Sequence, residues 1–403
     1  MRTRITSTST KGLTLIAALL VAAAACAPAA APTPVPPSPT SATKAASVAP
    51  AATAPPAAKP TSAPAAPATA TPAAKGPSNE LAQLVEAAKK EGKVSVRLHP
   101  FLEVPPIREG IKKKYGVDLQ IDSVPNESYA THVAAAIAEF KAGAPPSFDL
   151  LPFSDSTSLQ AINAGVVEKV NWAPLLAPGT PKEVVQSDGH ALSVYTGHIG
   201  LMYDPRVISA ADAPKSFADL GNPKWKGKLA VYNSTANYVN YAFVRGIDKT
   251  LADLRAIMKN SPPVEAYSRG QTRYTAGEYP IVLIGSSMYG SVKTKGMPVE
   301  WVSPDISFFS VHSFHVMKGA KQPNAAKLLA IFLASPEGHK IYNDTGVGSM
   351  FYTGNIESDI HQQDVKAGLK QYNPMTWPGA LDFLQSEQGK RVEQEVGRIL
   401  KGE

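Results

Sequence analysis

For residues 80–403 the sequence predicts an α/β fold, a two-lobed arrangement in which each lobe is a mainly parallel sheet flanked by helices. Three observations carry this. Short apolar runs with strand-like alternation recur along the chain, as at Val94, Val96 and Leu98 or Val117, Leu119 and Ile121. Stretches of helical period separate them, which is the grammar of βαβ units and a sheet covered on both faces. The region is about 325 residues long, more than one hydrophobic core usually holds.

The first 79 residues are of another kind. They contain no Asp or Glu, and their six basic residues are Arg2, Arg4, Lys11, Lys44, Lys59 and Lys75. The whole chain has 40 Lys and Arg against 33 Asp and Glu; without those six, 34 bases face 33 acids. The basic balance therefore belongs to the leader, and nothing in it points to nucleic acid. Residues 1–25 read as a signal peptide, with a positive start and an apolar core from Leu13 to Ala25. Cys26, the chain's only cysteine, follows Ala23-Ala24-Ala25 in a setting that resembles a bacterial lipobox, with Ala23 standing where leucine is usual. Lipidation at Cys26 would anchor the chain to membrane lipid, and a lone cysteine excludes an intramolecular disulfide. Residues 26–78 are almost wholly Ala, Pro, Thr and Ser, with little to bury, and are expected to form an extended disordered tether.

Elements follow in order. Asn79 is placed to cap a helix that Gly92 ends, and Val94–Leu98 is the first strand. A helix over Arg108–Tyr115 precedes the Val117–Ile121 strand; Tyr129–Lys141 is helical, Phe148–Leu151 is a buried strand and Thr157–Asn163 the helix behind it. The middle repeats the pattern: strand Lys228–Tyr232, helices Thr235–Arg245 and Leu251–Lys259, strand Ile281–Ile284. The end brings a strand at Val311–Met317 and helices at Asn324–Ala334, Glu337–Asn343 and Leu381–Leu400.

In open α/β sheets ligands bind beyond the carboxyl ends of the strands, where helix N-termini offer free N–H groups. That rule selects His99; Ser154, Asp155 and Ser156; Ser234, Thr235 and Asn237; and Ser286, Ser287 and Tyr289. Helix capping alone also favours Ser, Thr, Asp and Asn at such positions, so the set carries more weight than any member. Tyr195 is the other polar aromatic expected in the cleft.

Enzyme signatures are thin. Gly285-Ser286-Ser287-Met288-Tyr289 lacks the second glycine of a nucleophile elbow, and Gly346-Val347-Gly348 lacks the rest of a dinucleotide fingerprint. His312 and His315 would face opposite sides of a strand and could not share a metal ion. No catalytic residue, cofactor or metal is expected.

Three segments carry a resemblance. They are Phe148-Asp149-Leu150 with Ser154-Asp155-Ser156; Phe217-Ala218-Asp219-Leu220 with Asn222-Pro223-Lys224-Trp225-Lys226-Gly227-Lys228; and Lys321-Gln322-Pro323-Asn324-Ala325-Ala326-Lys327 leading to Phe332-Leu333-Ala334-Ser335-Pro336-Glu337-Gly338. In that order they resemble the type 2 periplasmic solute-binding proteins of ABC importers, in the branch similar to ferric-iron receptors. The resemblance implies two lobes joined by crossover strands, the outward one near Leu192–Tyr203 and the return near Glu300–Phe309. The lobes would comprise 79–195 with 305–403, and 196–304. It further implies a monomeric, lipid-anchored protein of the cell envelope that closes on a small ligand and passes it to a membrane permease. Ferric receptors usually bring a tyrosine pair from the segment corresponding to Ile281–Val292. Here Tyr289 stands alone, which favours an organic or phosphate-bearing anion over ferric iron. An anchored enzyme or a sensor subunit on the same fold are the other readings.

Overall fold

The computed structural model describes residues 78–403 apart from Glu127; the expected signal peptide, the lipidated cysteine and all but the last residue of the tether lie outside the described residues. Eleven strands form the sheet: β1 (Lys93–Leu98), β2 (Gln120–Pro125), β3 (Leu150–Ser154), β4 (Val185–Gln186), β5 (Ala191–Tyr203), β6 (Leu229–Tyr232), β7 (Val264–Glu265), β8 (Ile281–Gly285), β9 (Glu300–Val302), β10 (Ile306–Val316) and β11 (Lys370–Tyr372). The main path runs β2-β1-β3-β10-β5-β8-β6-β7. Its two flanks are parallel, β2-β1-β3 on one side and β8-β6-β7 on the other, while β3-β10, β10-β5 and β5-β8 are antiparallel.

The long central strands belong to both lobes. Leu192 and Val194 of β5 and Phe314 and Val316 of β10 lie in a first core with Val94, Val96 and Leu150. Farther along the same strands, Ile199, Leu201, Ile306 and Phe308 lie in a second core with Leu229, Val231 and Leu283. β5 and β10 are therefore the crossovers, close to the places expected for them. Between the two halves the pairing slips: His312 faces Tyr195, but Ser313 faces Ser193, so Val194 is an extra residue. β6 and β8 are buried on both faces, which explains their unbroken apolar runs at Leu229–Tyr232 and Ile281–Gly285.

Boundaries moved where a cap decided them. Ser78, one residue before the expected cap, accepts the N–H of Leu81 and starts the first helix. β3 starts two residues later than expected because Asp149 turns back, accepting both the N–H and the hydroxyl of Ser95. The single helix expected over Leu381–Leu400 is two, Ala380–Gln385 and Glu387–Lys401, divided at Ser386, whose hydroxyl accepts the Gly389 N–H. A helix at Ile356–Lys366 was not foreseen.

The packing also divides the segment 305–403 that was expected to complete the first lobe. Leu328–Leu333, Tyr342 and Val347 join the first core, but Val392, Val396 and Ile399 join the second. The last two helices pack on Thr235–Arg245 and Ile247–Met258, whose apolar faces they cover. β11 likewise pairs with the second-lobe half of β10.

Helix Ser286–Thr294 approaches the turn before Val347 so closely that a Cβ on Gly290 would stand 1.8 Å from the Gly346 carbonyl oxygen. Neither backbone can yield without moving its element. Gly290→Ala is expected to lower stability by about 1–3 kcal/mol, the usual cost of overpacking, read as an earlier urea midpoint at unchanged slope.

Candidate functional site

His99 stands just beyond the tip of β1, 2 % exposed. Its Nδ1 is 2.9 Å from the Tyr342 hydroxyl and its Nε2 is 3.1 Å from the Tyr129 hydroxyl. Tyr129, the first residue of helix Tyr129–Lys141, also lies 3.2 Å from the Tyr195 hydroxyl and 3.0 Å from His312 Nδ1. The rings of Tyr195 and His312, partners across β5 and β10, stack with centroids 4.1 Å apart. Phe101 stacks on His99 from the other side. Burial, then the neighbouring His312, holds His99 well below the ordinary histidine range; burial alone takes His312 down to about 3. Both imidazoles are neutral near pH 7. Burial pushes the phenols of Tyr129, Tyr195 and Tyr342 up, so they stay protonated. The cluster is thus polar, aromatic and uncharged.

A second network lies beyond the tip of β8. Ser286, fully buried at the start of its helix, accepts the His198 N–H at 2.8 Å and donates to Glu357. The other Glu357 oxygen is 2.6 Å from His198 Nδ1. Gly197 joins the two sets: the point where its Cβ would stand is 3.8 Å from both His312 Nε2 and Ser286 Oγ. A side chain there would fill the space between them. Beside this, the Tyr267 ring lies against Gly285, and its hydroxyl accepts from Asn237 Nδ2.

Asp155 is the charged member. It opens helix Asp155–Asn163 beside the β3 tip and is 7 % exposed. One carboxylate oxygen accepts from Asn373 Nδ2 at 3.1 Å and from the Val311 N–H at 3.4 Å. A small cavity of about 20 Å3 touches Asp155, Gln186, Ser313 and Asn373. No cation pairs with it among the described residues, and burial pushes its carboxyl up to about 6, against the hydrogen bonds from Asn373 and Ser310.

Of the residues selected from sequence, His99, Tyr195, Ser286 and Asn237 lie along this connected line, and Asp155 adjoins it through Val311, the neighbour of His312. Ser154 is half-buried and ties its N–H to Thr157 Oγ1; Ser156 is exposed. Ser234 and Ser287 are half-buried at helix starts. Thr235 donates to Glu393 of the last helix, a fastening contact. Tyr289 is elsewhere, buried against Trp301 in a third core with its hydroxyl accepting from Lys293. Sequence reasoning missed Tyr129, His312, Tyr342, Glu357, His198 and Tyr267. Tyr129 follows a strand tip and the same rule would have found it; the others come from crossover strands and from helices far along the chain. His315 does face away from His312, 2.6 Å from Ser158 Oγ. Among the described residues no three His, Cys, Asp or Glu side chains are grouped to hold a metal ion.

The Asp155 environment makes stability depend on pH. Its folded value near 6 lies above the unfolded one near 4, so the native state binds the proton more tightly. Stability should fall as pH rises from about 4 to about 6, by roughly 2–3 kcal/mol, with the cost fully present above that. Urea denaturation across this window is expected to show that Asp155→Asn lacks this component. A constant difference between the two proteins over the window would contradict the assignment.

Comparison with known proteins agrees with this architecture. A sequence profile described as bacterial extracellular solute-binding protein matches residues 108–391. The Fe(3+)-binding periplasmic protein of Serratia marcescens is 24% identical over 199 residues, 44% of this chain and 59% of that protein, so the chain spans about three fifths of this curated relative's length. Iron-bound HitA from Pseudomonas aeruginosa superposes with a TM-score of 0.58 at 18% identity, covering 76% of this chain and 99% of the other. The spermidine/putrescine substrate-binding protein PotD from Streptococcus pneumoniae gives 0.56 at 11%, covering 75% and 99%. A periplasmic thiamin-binding protein gives 0.57 at 14%, covering 76% and 96%. These likenesses carry the type 2 periplasmic binding protein fold, and with the profile spanning most of its length, the chain belongs to the bacterial extracellular solute-binding protein family.

Proposed function

We propose that this protein is the ligand-capturing receptor of an ABC importer, held to the outer face of the cytoplasmic membrane by a lipid on Cys26. Residues 1–25 would be removed, 26–78 would tether it, and two lobes would close as a monomer around one ligand for delivery to a permease. The first lobe would comprise 79–195 with the part of 305–403 up to about 347; the second would comprise 196–304 with the C-terminal helices. The observation that carries the reading is the meeting over Gly197 of His312, in the polar cluster on the crossover strands, with Ser286 beyond the tip of β8. A ligand in that position touches both lobes only when they are closed, so its differential affinity drives closure. Ser286 is not arranged as an activated nucleophile, since it accepts from a backbone N–H and donates to a carboxylate rather than to an imidazole. Capture without turnover fits best.

The ligand class we favour is a small organic or phosphate-bearing anion. Helices starting at Asp155, Thr235 and Ser286 direct their N-termini from strand tips, and a neutral histidine donor in the cluster suits an acceptor oxygen. Ferric iron is the second reading. It is favoured by the convergence of the Tyr129 and Tyr195 phenols, 3.2 Å apart, with His99 and His312, although Tyr289 is buried elsewhere. Iron would announce itself by a visible phenolate-to-metal absorption that Tyr195→Phe removes.

Native mass spectrometry of the purified protein is expected to reveal a retained ligand, and that ligand to raise the thermal midpoint with the logarithm of its concentration. Tyr195→Ala should weaken binding at least tenfold, about 1.4 kcal/mol, by calorimetry. The receptor reading fails if no ligand is retained and no anion, ferric complex or polyamine stabilises the protein. Separately, Cys26→Ser is expected to move the protein from the detergent phase to the aqueous phase in a detergent partition.

A further inference from the structure

Five side chains form one hydrogen-bonded chain: Tyr342 to His99, His99 to Tyr129, and Tyr129 to both Tyr195 and His312. Counting its protons decides which way each bond points. Burial keeps both imidazoles neutral, so each ring has one N–H and one lone pair. Tyr342 is fully buried, and among the described residues its hydroxyl has one partner, His99 Nδ1. Its proton must go there, since a buried hydroxyl left without an acceptor is costly. His99 therefore carries its own proton on Nε2 and gives it to the Tyr129 oxygen.

Tyr195 is buried too, and its hydroxyl likewise has one partner, Tyr129. It donates to the same oxygen. With two bonds accepted, the Tyr129 oxygen has spent its lone pairs, and its own proton has one remaining acceptor, His312 Nδ1. The reverse arrangement, with Tyr129 donating to Tyr195, would strand the Tyr195 proton among rings.

We infer that this chain fixes His312 as its Nε2–H tautomer, so that His312 meets the ligand as a donor and never as an acceptor. The Nε2 atom has no protein partner among the described residues and borders the space over Gly197. Ser286, across that space, is already committed, accepting from the His198 N–H and donating to Glu357. His312 is thus the uncommitted donor where the two cores meet. It donates to a carbonyl, carboxylate or phosphoryl oxygen and turns away an ammonium or amide N–H. The inference rests on the receptor reading only for what fills the space; the tautomer is a property of the free protein. His312 is a specificity-determining residue in this scheme, and Tyr129, His99 and Tyr342 are positioning residues that act through it.

The test is a long-range proton–nitrogen correlation spectrum of the protein labelled with nitrogen-15 histidine, ligand-free at pH 7, with His312 assigned by its loss in His312→Gln. Wild type is expected to show His312 in the Nε2–H form alone. Tyr342→Phe shares no hydrogen bond with His312, yet it frees His99 to reverse, Tyr129 to turn toward it, and His312 to populate the Nδ1–H form. Tyr129→Phe should do the same directly, and circular dichroism and the thermal midpoint verify that each variant is folded. A wild-type His312 found as Nδ1–H or as imidazolium overturns the inference, as does an unchanged His312 signal in both folded variants. Thermal stabilisation by ligand, measured alongside, reports on the receptor reading independently of either result.

Discussion

Everything in this molecule hangs on the antiparallel pairing of β5 and β10. Each strand enters one core, leaves it and enters the other, so the two lobes are connected through one paired ribbon with a bulge at Val194. Two parallel flanks alone would be separate sheets with exposed edges. The ribbon closes the inner edge of both, through β3 on one side and β8 on the other. It also supplies the centre of the site, because Tyr195, Gly197, His198 and His312 all lie on it. In the proposed receptor, hinge and binding surface would be the same piece of backbone, so contacts made to a guest would be made directly to the element that bends.

The chemistry of the site follows from low dielectric and the near absence of charge. Tyr129, Tyr195, Tyr342, His99 and His312, packed together, remain neutral, since ionising any of them would cost more than its hydrogen bonds return. What remains is a set of oriented dipoles, each held by its neighbour. Such a surface recognises a ligand by matching donors with acceptors, and does so without the salt sensitivity of exposed ion pairs. Asp155 and Glu357, the carboxylates near it, differ in footing: Glu357 is engaged by both Ser286 and His198, whereas Asp155 has only amide and hydroxyl partners.

Much of this was legible in the sequence. A period-2 run marked β1 and continuous apolar runs marked β6 and β8, and helical stretches gave Tyr129–Lys141 and Thr235–Arg245 with their boundaries. The strand-tip rule reached His99, Asp155 and Ser286 because a βα junction is local: the strand, the turn and the helix start are consecutive residues. It could not reach Tyr342 or Glu357, which arrive from helices about 240 and 160 residues away from His99 and His198, and whose own stretches carry no mark of a site. Tyr289 misled for the opposite reason. It lies one turn past a strand tip, and helical rotation there carries it into a third core. The lobe assignment of the last helices failed similarly, since an amphipathic helix declares that it will be covered without saying by what.

The extra residue at Val194 repays a closer look. Leu192 and Val194 face the first core, and Tyr195, the residue after the bulge, joins them with the parity reversed; farther on, the odd-numbered Ile199, Leu201 and Tyr203 face the second. On β10 no such change occurs: Ile306, Phe308, Phe314 and Val316 are all even. One inserted position thus resets the phase of β5 between lobes. Strand identity here is carried by counting as much as by composition, and losing a single residue at that point would act as a frameshift in space, turning half of an intact sequence inside out.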